Sequence, residues 1–451
     1  MRIHLGIDDT DSLAGGCTTK TAADLVRVLD SRGVTFVDFP SLVRLNPNVP
    51  WKTRGNGAVC LRIESKLPSE EILELAAEEI ERSSRLGDSG TDPGIVLLSG
   101  TVPPEIIEFS EESLTRIVAS SEALSLVTRI GAEALSYGST QGIIGALAAI
   151  GTSLDGDCTF ELIAYRSKSF IGRPRLVDRE SVIRMNKEMK DATFNNVDPE
   201  TGRILITPRG PDPILCGIRG EDPDSLSKAF QMLQIREPVE SWMIFRTNQG
   251  TDAHLRKSCK VSELQDHSAA VVEGVVKENP RTIRGGHVIF LLEDETGSVC
   301  CAAYEPTGRF RNIVKKLEPG DRVRGFGGMR AAANQIPRTL NLEKLEVLGL
   351  VACMSSHNPV CPICGKRMKS AGKKQGYRCR HCDSHASSKT QQESSRDLEE
   401  RVYLPPPRAH RHLTKPEIRY LRTRDGAGLQ ILSRWHSWDG VTLDNERVFP
   451  R

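Results

Sequence analysis

Four cysteines constrain this chain more than any other feature. Cys361-Pro-Ile-Cys364 and Cys379-Arg-His-Cys382 are two C-x-x-C turns separated by the 14 residues 365–378. Each turn presents two sulfurs together, and two such turns at this spacing build a tetrahedral four-thiolate site for one zinc ion. All four coordination positions are filled by protein, so the zinc is expected to be structural and the segment 355–390 a zinc ribbon. The other eight of the 12 Cys are scattered through 451 residues, which argues against a secreted disulfide framework. Cys158, Cys216, Cys300 and Cys301 lie in strand-like runs and read as small buried hydrophobes. Around the knuckles, Lys366, Arg367, Lys369, Lys373, Lys374, Arg378 and Arg380 oppose only Asp383. Such a run is either a solvated face or a phosphate-contacting surface.

Upstream, residues 265–352 read as five strands and a short helix. AAVVEGVVKEN opens, HVIFLLEDE and GSVCCAAYE form a hairpin about Glu295–Thr296–Gly297, GRFRNIVKKL is helical, and DRVRGFGGMR and LNLEKLEVLGL close. That order predicts an OB-fold barrel, a common oligonucleotide binder. Residues 158–258 give a β-α-β-β-α-β order, predicting a ferredoxin-like domain. Residues 1–157 alternate strands with amphipathic helices, predicting α/β; EESLTRIVASSEALSLVTRIGAEAL reads as one helix there, and GIIGALAAIG as a helix or strand–turn. Residues 383–400 are polar and low in complexity, a linker by composition, and 391–451 is a basic C-terminal segment. The fold class is thus multidomain α+β. Hydrophobic residues at 38% allow real cores, and aromatics at only 5% keep each one small. No apolar run reaches 18 residues and the first residues carry acids, so a cytoplasmic location is expected.

The chemistry concentrates at Gly6-Ile-Asp8-Asp9-Thr10-Asp11, followed by Gly15-Gly16-Cys17-Thr18-Thr19-Lys20. Three carboxylates within four residues repel one another and call for a cation. Mg2+ bound through carboxylates and substrate phosphates meets that need, and a Gly-rich turn opening a helix supplies N–H groups for phosphate. Together these outline a nucleoside triphosphate site, although the Walker A pattern is absent. The alternative is an acidic helix-capping turn. A second loop, Arg44-Leu-Asn46-Pro-Asn48-Val-Pro50-Trp51-Lys52-Thr53-Arg54-Gly55-Asn56-Gly57, offers Arg44, Lys52 and Arg54 as phosphate clamps, with Gly55 and Asn56 permitting close backbone approach; a tight turn with solvated cations is the plainer reading. A third, Arg246-Thr247-Asn248-Gln249-Gly250-Thr251-Asp252-Ala253-His254, combines with Asp212 and Gly217 either as a pocket for a small polar cation or as an interdomain loop.

GIDDTDS, CTTK, RLNPNVPWKTRGNGA and RTNQGTDAH, followed by a barrel and a four-cysteine ribbon, resemble the archaeal 2-agmatinylcytidine synthetases of the AUA-decoding isoleucine tRNA. The resemblance spans nearly the whole chain. It implies a kinase-like N-terminal domain that binds ATP and Mg2+ and a ligase activity. The wobble cytidine (position 34) of the tRNA with anticodon CAU would be phosphorylated at its C2 oxygen. Agmatine then displaces phosphate, so that the anticodon reads AUA. It further implies cleavage of ATP to AMP and pyrophosphate. Asp8, Asp9 and Asp11 would be catalytic and Thr18 autophosphorylated. Gly6, Gly16, Thr19, Arg44, Lys52, Arg54, Gly55 and Asn56 would bind ATP, while Asp212, Asp252 and Gly217 would face agmatine. The rival reading is a non-catalytic OB-fold/zinc-ribbon nucleic-acid-binding protein; three clustered acids have no use in it.

Overall fold

The computed structural model describes residues 1–333, 336–394, 396–422, 426–428 and 430–438. The N-terminal region contains β1 (Arg2–Asp8), α1 (Thr18–Ser31), β2 (Thr35–Phe36), β3 (Ser41–Arg44), β4 (Gly57–Glu64), α2 (Ser69–Ser83), β5 (Gly94–Ser99), α3 (Pro104–Thr115), α4 (Ser120–Ile130), β6 (Glu133–Ser136) and α5 (Gln141–Gly151). The next region adds β7 (Thr159–Arg166), α6 (Arg179–Glu188), β8 (Thr193–Phe194), β9 (Ile214–Gly220), α7 (Pro223–Gln231) and β10 (Val239–Thr247).

These two regions share one sheet. Its main order is β6-β5-β1-β4-β3-β10-β7-β9-β8, and the seam is a short parallel pairing of β3 with β10, Arg246 opposite Ser41 and Thr247 opposite Leu42. One hydrophobic core runs across the seam: Leu25, Leu61, Phe160, Ile218 and Ile244 belong to the same buried cluster. The opposite face of the N-terminal strands is covered by α3, α4 and α5. Helix α5 carries no charged residue and packs tightly because its neighbours are small. A Cβ on Gly6 would come within 2.1 Å of the Ala146 carbonyl oxygen.

Two elements differ from the sequence-based expectation. The single helix expected across 111–135 is broken between α3 and α4, and its end is the edge strand β6. Gly131, at φ 67°, terminates α4 in a left-handed cap, as glycine does most readily. The linker expected over 383–400 contains a strand that pairs antiparallel with 353–357, Thr390 opposite His357. Cross-strand pairing decides there, and composition cannot see it.

The following region holds β11 (Ala269–Val276), β12 (Arg281–Thr282), β13 (Val288–Asp294), β14 (Gly297–Ala303), α8 (Arg309–Val314), β15 (Arg322–Arg330) and β16 (Thr339–Gly349). Strands β11-β15-β16-β14-β13 form a five-stranded barrel closed by β11 against β13, with β14 and β16 parallel. The hairpin predicted at 295–297 is present: Asp294 pairs with Gly297, and the Asp294 carboxylate accepts from the Thr296 amide at 2.7 Å. The last region holds β17 (Cys353–His357), β18 (Lys369–Ser370), β19 (Tyr377–Arg378), β20 (His385–Ala386), β21 (Thr390–Ser394), β22 (Val402–Tyr403) and β23 (His436–Ser437).

The described residues from 402 to 438 form a strap back across the molecule. β22 pairs with β16 of the barrel. Arg408 bonds Asp198 at 2.9 Å and Glu200 at 2.8 Å. Arg419, fully buried, holds Asp157 and Glu221, each at 2.7 Å. Trp435 enters the N-terminal core edge-on to Phe36 and Phe39, with centroids 5.5 and 6.3 Å away, and β23 joins β10. Trp438 packs against the same core. Among the described residues no helix is long and apolar enough to cross a membrane.

Removing a buried indole leaves a large cavity, so Trp435→Ala should cost about 3–5 kcal/mol in urea unfolding. Limited trypsin digestion should then cut the strap faster than in wild type. Unchanged stability and digestion would show that the strap is not anchored by this ring.

Candidate functional site

The turn after β1 places its acids around the floor of a cleft. Asp8 ends the strand beneath α5, where Gly145 makes room for it: a Cβ there would stand 1.8 Å from the carboxylate. Asp9 adopts φ 58°, a left-handed conformation that aspartate tolerates better than most residues. This turns its carboxylate toward the Thr53 hydroxyl and the Asp92 amide, each donating at 3.3 Å. Asp11 accepts from the Thr18 amide at 2.6 Å and the Thr18 hydroxyl at 3.2 Å. It therefore caps α1, as the plainer reading of the turn has it, and still lines the cleft. Thr10 donates to Thr18 at 3.2 Å, so the hydroxyl of Thr18 sits between the turn and the helix start.

The cleft has about 740 Å³ of empty space, open solvent at its mouth included. Asp8, Asp9, Asp11, Thr18, Lys52, Asn56, Gln141 and Gly145 form its polar side. Leu45, Val49, Trp51, Ile117, Val118 and Ile144 form its apolar side. All three acids are held above the usual carboxylate range, chiefly by burial; the Asp9 pKa is pushed up to about 6. Burial opposed by too few cations is the signature of a carboxylate cluster suited to a divalent ion.

The other residues singled out in the sequence separate into groups. Lys52 and Asn56 line the cleft. Arg54 instead donates to the carbonyls of Gly16, Ser12 and Gly15 at 2.9, 3.1 and 3.3 Å, lacing the acidic turn together 4.0 Å from Asp11. Gly16 is left-handed at φ 74°, and a Cβ there would meet the Thr10 carbonyl at 2.8 Å. Thr19 is buried against Cys17, and Gly6 lies inside β1. Arg44 lies at the seam with Gly55 packed against it, close enough to Asp8 and Asp11 to lower the pKa of both against burial.

There Arg44 joins a second polar cluster that sequence reading missed. Glu161 on β7 accepts from Arg219 at 3.0 Å and from the Gln249 amide, and lies 4.0 Å from Arg44. His412 of the strap lies 3.0 Å from Gln249 and 3.1 Å from Arg219. Arg44 and burial hold its imidazole well below its ordinary pKa, so it is neutral. Gly217 stands beside Glu161, where a Cβ would meet the carboxylate at 2.8 Å. Asp212 and Asp252 lie elsewhere and apart. Asp212 pairs with Arg175 at 3.0 Å before β9; Asp252, beyond the other end of β10, pairs with Lys344 of the barrel and accepts from the Lys415 amide at 2.8 Å. Thr53, from the second loop, lines the cleft and bonds Asp9, and Gln141 at the start of α5 lines it too; the Asp92 amide, which also bonds Asp9, comes from a segment that carries no signal in the sequence.

In the ribbon, the sulfurs of Cys361, Cys364, Cys379 and Cys382 all lie within 4.8 Å of one another. Cys364 and Cys379 are 3.5 Å apart, too far for a disulfide and close to an edge of a zinc–thiolate tetrahedron. The four thiols therefore fit zinc. Besides them the local core holds only Met368, Tyr377 and Ala386 among the described residues.

A sheet built from two units, an acidic cleft in the first of them, a barrel and a metal ribbon define a multimodule protein that unites a catalytic-type cleft with nucleic-acid-binding-type modules. Models described as the TiaS TCKD domain, the TiaS FLD domain and the TiaS C-terminal zinc ribbon domain match residues 4–139, 140–254 and 358–398. The chain is 40% identical over 423 residues to the isoleucine-2 tRNA 2-agmatinylcytidine synthetase TiaS of Methanosarcina mazei, covering 92% of this chain and 97% of that one. Against the protein of that name from Archaeoglobus fulgidus the identity is 39% over 419 residues, covering 93% and 98%. A solved complex of TiaS with the isoleucine-2 tRNA and ATP superposes with a TM-score of 0.84 at 38% identity, covering 94% and 99%. A complex of TiaS with that tRNA, AMPCPP and agmatine gives 0.82 at 36%, covering 94% and 99%. The chain belongs to the TiaS family, the isoleucine-2 tRNA 2-agmatinylcytidine synthetases.

A carboxyl whose folded pKa is raised binds its proton more tightly when folded, so stability falls as pH rises from about 4 through 6. Asp9→Asn should therefore stabilise the ligand-free protein at pH 7, on the order of 1 kcal/mol, and flatten that slope in thermal melts. A variant no more stable than wild type would mean that Asp9 is not under electrostatic strain. Purified protein should also contain one zinc per chain. Chelation should raise amide exchange in 358–386 and leave the barrel protected, because so small a core depends on its metal.

Proposed function

We infer that this chain ligates agmatine to C2 of the wobble cytidine of the isoleucine-2 tRNA, using ATP. The similarity to the Methanosarcina mazei synthetase, over nearly the full length of both chains, carries this reading, and the acidic cleft agrees with it. The OB-fold identity of the barrel, the ferredoxin-like identity of the 158–258 unit and the kinase-like character of the first domain are part of the same proposal.

Asp8, Asp9 and Asp11 would hold Mg2+, which would offset their repulsion and draw nucleotide phosphates into the cleft. Lys52 and Asn56 stand where those phosphates approach. The roles of Arg54 and Gly16 are to shape the acidic turn. The Leu45–Val118–Ile144 side of the cleft offers an apolar slot for adenine. Thr18 presents its hydroxyl beside Asp11, which suits it to phosphoryl transfer. A carbonyl oxygen is a poor leaving group, so the C2 oxygen of cytidine first forms a bond to a phosphorus of ATP, whose P–O bond to the departing remainder of the nucleotide breaks. The primary amine of agmatine then forms the C2–N bond while the C2–O bond breaks, phosphate departs with that oxygen, and a carboxylate takes the amine proton. Agmatine is a dication and needs acids. Of the residues expected to face it, Gly217 adjoins a further acid, Glu161, which pairs with Arg219 just as Asp212 and Asp252 hold their own cations. The exposed ribbon lysines and arginines and the barrel would grip the tRNA through its phosphates and unstacked bases.

Incubation of the purified chain with ATP, Mg2+, agmatine and a CAU-bearing isoleucine tRNA, followed by nucleoside mass spectrometry, should reveal the agmatine adduct of cytidine. Thr18→Ala should abolish it and leave tRNA affinity nearly intact. Folded wild-type protein that binds the tRNA but forms no adduct would overturn the ligase reading.

A further inference from the structure

The loop 46–51 belongs to neither end of the molecule, because it is pinned from three sides. The Asn46 amide donates to the Ser113 carbonyl at 3.0 Å, fixing it to α3. The Asn46 side chain donates to the His267 carbonyl at 2.8 Å, and Gly328 of β15 is so close to Asn48 that a Cβ would stand 1.8 Å from its side-chain oxygen. Both contacts fix the loop to the barrel. Arg411 of the strap donates to the Pro47 carbonyl at 2.8 Å. Past these anchors, Trp51 lines the mouth of the acidic cleft and is 55% exposed. Among the described residues it is the one aromatic on that lining. Lys52 follows it, donating to the Val49 carbonyl at 3.2 Å.

A single exposed apolar ring is ordinary on a protein surface, but this one stands on the cleft lining, on a loop anchored to the barrel side, where a planar ligand would cover it. The place constrains what that is. The loop joins the barrel side to the cleft, and every base offers a face on which an indole stacks. We propose that Trp51 is the stacking platform for the extruded wobble cytidine, and that the loop 46–51 is the bridge by which a base leaves the barrel side and enters the cleft. The inference rests on the ligase reading above and adds to it a residue that positions the RNA base. Adenine has Leu45, Val118 and Ile144 of the same lining available to it, which leaves Trp51 to the base.

The test uses the full chain with Trp51→Ala and Trp51→Phe. Loss of a base–aromatic stack should lower kcat/KM for tRNA about tenfold to a hundredfold, with KM for ATP and agmatine unchanged, and phenylalanine should restore most of it. In parallel, isoleucine-2 tRNA carrying the fluorescent analogue pyrrolocytidine at the wobble position should be quenched on binding wild type and the phenylalanine variant, and not the alanine variant. A rise in KM for ATP with tRNA kinetics intact would assign the ring to adenine and overturn the proposal. Equal kinetics in all three proteins would also overturn it, as would quenching that persists in the alanine variant. The fluorescence does not depend on turnover, so a wild-type protein that forms no adduct yet quenches through Trp51 would sink the ligase reading and leave the stacking role standing.

Discussion

Asp8, Asp9 and Asp11 are held together against their own repulsion, and much of the N-terminal architecture serves that purpose. Left to themselves, three carboxylates on one turn would splay into water. Here α5 closes over Asp8 because Gly6 and Gly145 let it approach. Arg54 ties three carbonyls of the turn. Thr53, Thr18 and the Asp92 amide supply the donors. Each contact shapes the turn, yet together they leave all three acids above the normal carboxylate range. The fold stores an electrostatic demand that a proton or a divalent cation would relieve.

The seam between β3 and β10 gives that demand a second neighbour. Arg44 at the end of β3 enters the Glu161–Gln249–His412 cluster and at the same time acts on Asp8 and Asp11, opposing the rise that burial imposes on them. Two polar clusters thus share one cation at a single strand end. A hinge between independent domains would not hold them so; a shared sheet and a shared core do.

What could be read in the sequence was what is local in the chain. The four-cysteine site depends on two short turns, and the acidic turn on six consecutive residues, so spacing alone revealed both. The barrel was legible because its strands follow one another with clear breaks. Contacts between distant segments were not legible. Nothing near Asp92 announces that its amide meets Asp9, and Asp252 looks like a pocket acid until Lys344, on another module, is seen against it. Polar composition hid the strand Thr390–Ser394, since pairing with Cys353–His357 supplies what its side chains do not.

The strap has a consequence for how the molecule is made. The first half of the chain contains the acidic cleft, but its core includes Trp435, and its sheet includes His436 and Ser437. During synthesis these arrive after both the barrel and the ribbon have emerged. A nascent chain halted within the strap therefore carries the acids while the sheet and core around them still lack their closing pieces.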